Sequence, residues 1–191
     1  MSNTRDKMIE KTCELLEAQG YHATGLNQIL EESRTPKGSL YYYFPGGKEA
    51  LAAEAITSMG QEVQERIETT LAATEAPGAA VRQFILRVAH HVQASEFRAG
   101  GPITTVALEA ATTSERLNTA CEEVYQAWQA TFEAKFEESG LTPADAERLA
   151  TLVIASLEGA IILSRTRRST APLEHAAASM ARLISTYRLE E

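Results

Sequence analysis

Apolar side chains recur every three or four residues along almost the whole chain, and Gly or Pro interrupts them repeatedly. That spacing lines one face of a helix, and no segment shows the two-residue alternation of a half-buried strand. The breaks fall at Gly20, Pro36, Pro45-Gly46-Gly47, Pro77-Gly78, Gly100-Gly101-Pro102, Gly140 to Pro143, and Pro172. The expected fold is therefore all-α, with about nine helices. Met8, Ile9, Thr12, Leu15 and Leu16 form a first stripe that stops at Gly20, a suitable C′ residue. Thr24 reads as the N-cap of a short second helix bearing Leu26, Ile29 and Leu30. Ser33–Pro36 turns the chain into a third, Lys37–Phe44, and two short helices joined this tightly form a helix-turn-helix. Further helices are expected over about 48–73, 79–95, 103–111, 114–139, 143–167 and 172–188.

The third of these helices is a poor core element. Lys37-Gly38-Ser39-Leu40-Tyr41-Tyr42-Tyr43-Phe44 offers one cation, one hydroxyl and three phenols on a narrow rod. A DNA major groove suits such a rod, since phosphates take donors and base edges take short polar groups. The competing reading is a buried aromatic cluster, in which each phenol would need a partner.

A net charge of −8 at first argues against nucleic acid, but residues 1–48 carry six basic and six acidic side chains, so the excess lies wholly beyond them. A neutral head can bind DNA if its cations cluster, and an acidic body would favour approach head first. Hydrophobic residues make up 44% of the chain, enough for a core and against disorder. No apolar run is expected to reach the roughly 18 residues of a membrane span, so no membrane partner is expected. The polar N-terminus lacks a signal-like segment, and Cys13 and Cys121 form no CxxC pair, so a cytoplasmic protein with reduced, buried thiols is expected. His90 and His91 point about 100° apart on a helix, with no third ligand at suitable spacing, so neither metal nor cofactor is expected.

The chain resembles the TetR family of bacterial one-component regulators over roughly residues 5–56. Thr24 and Ile29, the Lys37–Phe44 string and Lys48-Glu49-Ala50-Leu51 carry the likeness. The rest is similar to the LmrA/YxaF-like branch, through Phe44-Pro45-Gly46-Gly47-Lys48-Glu49, Gly101-Pro102-Ile103, Val106-Ala107-Leu108-Glu109-Ala110 and Leu157 to Arg165. That branch often has Cys before the Pro where this chain has Gly101, so a thiol role there is absent. The resemblance implies a homodimeric repressor associated with the nucleoid. A DNA-binding head at 1–48 would precede an effector-binding and dimerisation body at 49–191. A small hydrophobic or aromatic effector would release the double-stranded operator and switch on efflux or detoxification genes.

On this reading Lys37 donates to guanine acceptors, or is simply a solvated lysine. Gly38 lets the backbone approach closely, and Ser39 reaches a base edge or caps the helix. Tyr41 and Tyr42 offer phenols to phosphates or rings to a thymine methyl, and Tyr43 donates to a phosphate. Thr24, Thr35 and Lys48 sit at helix starts, where phosphate is favoured, although for both threonines a structural cap competes. Arg34 is a weaker phosphate candidate in the turn. Leu40 and Phe44, at i and i+4, belong to the core with Leu15, Leu26 and Leu30.

For the effector, the candidates are Phe84, Val88, His91, Phe97, Ile103, Val106, Tyr125, Trp128 and Phe132, each of which fits an ordinary core equally. Glu158, inside an apolar helix, either anchors an effector or pairs with a cation such as Arg165 or Arg116. The last two helices suggest the dimer. Leu149, Leu152, Val153, Ser156, Gly159, Ala160 and Leu163 share a stripe, and Leu173, Ala177, Met180, Leu183, Ile184 and Tyr187 line the final helix. An enzyme is not expected, for no acid pair, nucleophile set or phosphate loop is present. The remaining rival is a helical protein-interaction adaptor that does not bind DNA.

Overall fold

A computed structural model describes residues 3–110 and 112–187. Among these the chain forms α1 (Thr4–Ala23), α2 (Leu26–Glu32), α3 (Lys37–Tyr43), α4 (Gly47–Ala72), α5 (Pro77–Ala94), α6 (Thr104–Ala110), α7 (Glu115–Glu138), α8 (Pro143–Arg167) and α9 (Ala171–Thr186). No strand occurs among the described residues. The expected end points Ala111 and Arg188 lie outside them.

Helix starts follow their local chemistry. Asn3 accepts from the Asp6 amide at 3.0 Å while the Asp6 carboxylate accepts from the Asn3 amide, a reciprocal box that opens α1. Thr142 caps α8 by accepting from the Asp145 amide. Pro stands in the first turn of α5, α8 and α9, where its missing N–H costs nothing.

One expected cap is different. Thr24 does not open α2, whose N-cap is Gly25. Thr24 instead closes α1, its hydroxyl donating to the Gly20 carbonyl at 2.6 Å. Gly20 itself has φ 78° and ψ −179°, a region open to glycine alone, and α1 runs one turn past this break.

Two compact units emerge. One comprises the chain up to Glu62 together with Gly101–Tyr125, and the other Val63–Gly100 with Gln126 onward. The helices α4 and α7 contribute to both. In the first unit α1 packs on α2, α3 and α6, around a core of Met8, Leu15, Ile29, Leu30, Leu40, Phe44 and Leu51. In the second, α5, α8 and α9 pack on one another.

The helix α8 overturns one expectation. It is long and apolar enough to cross a membrane, with a mean hydropathy of 1.5 over 18 residues. One side of it is core: Ala146, Leu149, Ala150, Val153, Leu157, Ala160 and Ile161 are buried. The side left open carries Leu152, Ile162 and Leu163, each between 39% and 49% exposed. The open stripe is thus rotated from the expected one: Leu149, Val153 and Ala160 leave it and Ile162 joins it. On α9, Leu173, Ala177, Met180 and Ile184 are all buried within the single chain, so α8 supplies most of the uncovered apolar face.

Candidate nucleic-acid interface

The turn between α2 and α3 is built from backbone closures. The amides of Ser33, Arg34 and Thr35 donate to the carbonyls of Ile29, Glu31 and Leu30, and Arg34 takes a left-handed φ of 54°. The Ser33 and Thr35 hydroxyls lie 2.7 Å apart and are buried. Pro36, extended at ψ 142°, then starts α3.

The helix α3 divides cleanly. Leu40 and Phe44 are fully buried, as their spacing requires, and Tyr43 packs partly on the same core. Lys37, Gly38, Tyr41 and Tyr42 point outward, with Tyr42 78% exposed. The Tyr42 and Tyr43 rings meet edge to face at 4.9 Å. Ser39 is half-buried and Arg34 exposed. Gly38 has no heavy atom within 4 Å of where a Cβ would stand, and no φ that demands glycine. A single seven-residue helix therefore presents a cation, a bare backbone and two phenols on one rigid surface.

Three of the expected DNA contacts lie elsewhere. Thr24 is fully buried and its hydroxyl is spent on Gly20. Thr35 is buried against Ser33. Lys48, half-buried, donates to the Tyr21 carbonyl at 2.7 Å, with its ammonium 4.0 Å from the Tyr21 ring centroid. Burial lowers the Lys48 pKa from the ordinary lysine value, opposed by the nearby Glu109 carboxylate. Two cations outside the expected set of DNA contacts stand near α3. Arg5 lies 5.5 Å above the Phe44 ring and pairs with Glu54, and Arg116 approaches Gly46 in the turn that follows α3. Both are remote in sequence, so no local signal marks them.

The expected effector residues do not behave as one set. In the first unit Ile103 and Val106 are buried and Tyr125 half-buried. In the second, Phe84, Phe132 and Trp128 are buried, Val88, Phe97 and Glu158 half-buried, and His91 exposed. Phe84 and Phe132 meet edge to face at 5.8 Å, and Phe136, missed in the sequence, stacks on Phe132 at 6.5 Å. Among the described residues no three His, Cys, Asp or Glu side chains gather as a metal site. Cys121 is buried and Cys13 half-buried with its thiol on the Ala55 carbonyl. Burial pushes the two thiols up to about 11 and about 12, respectively, which favours the protonated form.

Residues 8–55 match the bacterial regulatory proteins of the tetR family, and residues 77–179 the C-terminal domain of LmrA/YxaF-like transcriptional regulators. The chain belongs to the TetR family. It is 41% identical to the HTH-type transcriptional regulator YxaF of Bacillus subtilis, over 90% of each chain. It is 38% identical to the HTH-type transcriptional regulator LmrA of the same organism, over 91% of this chain and 92% of that one. Its fold superimposes on the regulatory protein TetR from Rhodobacter sphaeroides with a TM-score of 0.84, at 24% identity, covering 95% and 98% of the two chains. The protein is thus a DNA-binding transcriptional regulator of the LmrA/YxaF-like branch.

Proposed function

We propose that this regulator is a cytoplasmic, homodimeric repressor. It holds a double-stranded operator until a small hydrophobic or aromatic effector binds its body, and its target genes serve efflux or detoxification. The observation that carries the DNA half of this reading is the split of α3. Leu40 and Phe44 anchor it while Lys37, Gly38, Tyr41 and Tyr42 face out. On this reading Lys37 and Ser39 meet base edges, Gly38 admits the DNA backbone, and Arg34, Tyr41, Tyr42 and Tyr43 reach phosphates or thymine methyls. Thr24 and Thr35 act from beneath: the Thr24 hydroxyl closes α1 on the Gly20 carbonyl, and the buried Thr35 hydroxyl meets that of Ser33 inside the turn.

The dimer half rests on α8, whose Leu152, Ile162 and Leu163 stand open to water along one helix. A twofold partner covering this face presents two α3 helices, which suits half-sites about 34–36 Å apart or one turn further. The effector half rests on the aromatic cluster of Phe84, Phe132 and Phe136 beside the buried Trp128.

Gel retardation of the DNA upstream of the protein's own gene tests the reading. Affinity should fall with salt at a slope of roughly −0.9 per phosphate neutralised. An affinity indifferent to salt would sink it. Planar aromatic compounds added to the bound complex should release DNA, through a coupling of about 1–3 kcal/mol. A compound that binds and leaves DNA affinity unchanged is not an inducer.

A further inference from the structure

The break in α1 strands two backbone donors. Beyond Gly20 the chain restarts a turn, so the Tyr21 and His22 amides have lost the acceptors a continuous helix would supply. One carboxylate oxygen takes both. Glu109 Oε2, from α6, accepts from Tyr21 N at 2.6 Å and from His22 N at 3.1 Å. The other side of Tyr21 is held from α4, where Lys48 Nζ meets its carbonyl and lies over its ring. The fit is tight: a Cβ on Gly20 would stand 2.7 Å from Glu109 Oε1 and 2.8 Å from a Thr105 methyl. The same helix α1 carries Met8 and Leu15 into the core that seats Leu40 and Phe44 of α3.

We propose that Glu109 and Lys48 are positioning residues for the DNA-reading surface, clamping the Tyr21 peptide unit from two helices. The seat of α3 then depends on where α6 holds the end of α1. Lys48 acts through Tyr21 and not by holding a phosphate. The proposal rests on the DNA-binding reading above, and it assigns Lys48 a different task within it.

The test uses the full-length protein and a duplex selected from a random pool by the wild type. Glu109→Ala should bind that duplex about tenfold more weakly with an unchanged salt slope. Glu109→Gln keeps an oxygen for both amides and should stay within about threefold of wild type. Lys48→Met should weaken binding with the salt slope again unchanged. The double variant Glu109→Ala/Lys48→Met should be no weaker than the poorer single variant, the mark of two residues serving one structure. Amide exchange at Tyr21 and His22 should quicken about tenfold in Glu109→Ala while the core amides of α1–α3 stay protected. The clamp is overturned by a slope that falls by about one in Lys48→Met, the signature of a lost phosphate contact. Additive losses, wild-type binding by Glu109→Ala, or exchange spreading through all of α1–α3 would overturn it equally. If the wild type selects no duplex, the DNA reading fails instead, and the exchange experiment still judges the clamp.

Discussion

Two exposed helical glycines, Gly38 on α3 and Gly159 on α8, look alike within the chain. Neither has a heavy atom within 4 Å of its absent Cβ, and neither has a φ that requires glycine. At such positions alanine would favour the helix by up to about 1 kcal/mol, so nothing inside the molecule explains either one. Their neighbours differ. Gly38 sits between an ammonium and two phenols, while Gly159 sits among Leu152, Ile162 and Leu163. The first setting suits a charged polymer whose backbone must come close. The second suits another apolar helix, because small residues let helices approach. A bare glycine marks a surface that something else completes, and its surroundings say what.

The contrast between the two surfaces breaks most sharply on α8. Leu163→Glu places a carboxylate in the middle of the open stripe. In a lone subunit the residue is 46% exposed, so the charge stays hydrated and the fold should hold. In a dimer the same charge would be buried unpaired, at a cost on the order of 3–5 kcal/mol. Sedimentation should show a folded monomer, and affinity for a two-half-site operator should drop by far more than affinity for a single half-site. A dimer that survives this change places the interface elsewhere and leaves Gly159 with no helix to admit.

Next in size is Lys37→Ala. If Lys37 donates to a guanine, discrimination at one base pair should flatten by about 1–3 kcal/mol while other positions keep theirs. Competition between duplexes that differ at single positions measures this. A uniform loss across all sequences would move Lys37 from the bases to the phosphates.

How much of the molecule is legible in its sequence depends on the range of each interaction. The all-α architecture, the short α2–α3 pair and the burial of Leu40 and Phe44 follow from spacing along one helix, which the sequence displays directly. Helix ends came within a few residues for the same reason. Thr24 failed because a hydroxyl beside Gly can serve either neighbour; only the left-handed Gly20 shows that it closes α1 and does not open α2. The Lys48 contact with Tyr21 is not legible because the two lie 27 residues apart, and Glu109 is invisible as a partner because the amides it holds lie 87 and 88 residues away. On α8 the apolar residues cover several faces, so periodicity could not choose the open one. Its packing on α5 and α9 is a long-range fact, and the side that ends up buried includes Leu149, Val153 and Ala160.

Gly38→Ala sharpens the contrast in the other direction. Added to open space, the methyl should leave the free protein as stable as before or more stable by up to about 1 kcal/mol. Thermal unfolding without DNA should show this. Operator affinity should fall all the same, because the methyl meets whatever approaches α3. A variant that gains stability and keeps its affinity would leave Gly38 without a function. The matching change, Gly159→Leu, should leave the subunit folded and weaken its self-association.

The smallest effect is expected at Tyr43, which lies on the border between the two halves of α3. Its ring packs partly on the core and meets Tyr42 edge to face, so truncation to Ala would confound folding with binding. Tyr43→Phe removes the hydroxyl alone. If that hydroxyl donates to a phosphate, affinity should fall by about 0.5–1.5 kcal/mol for every duplex alike, without loss of thermal stability. Tyr42→Phe is the control, since Tyr42 stands 78% exposed and serves no core. Should both variants bind as the wild type does, the phenols contribute through their rings, and the outward face of α3 reads shape and methyl groups more than charge.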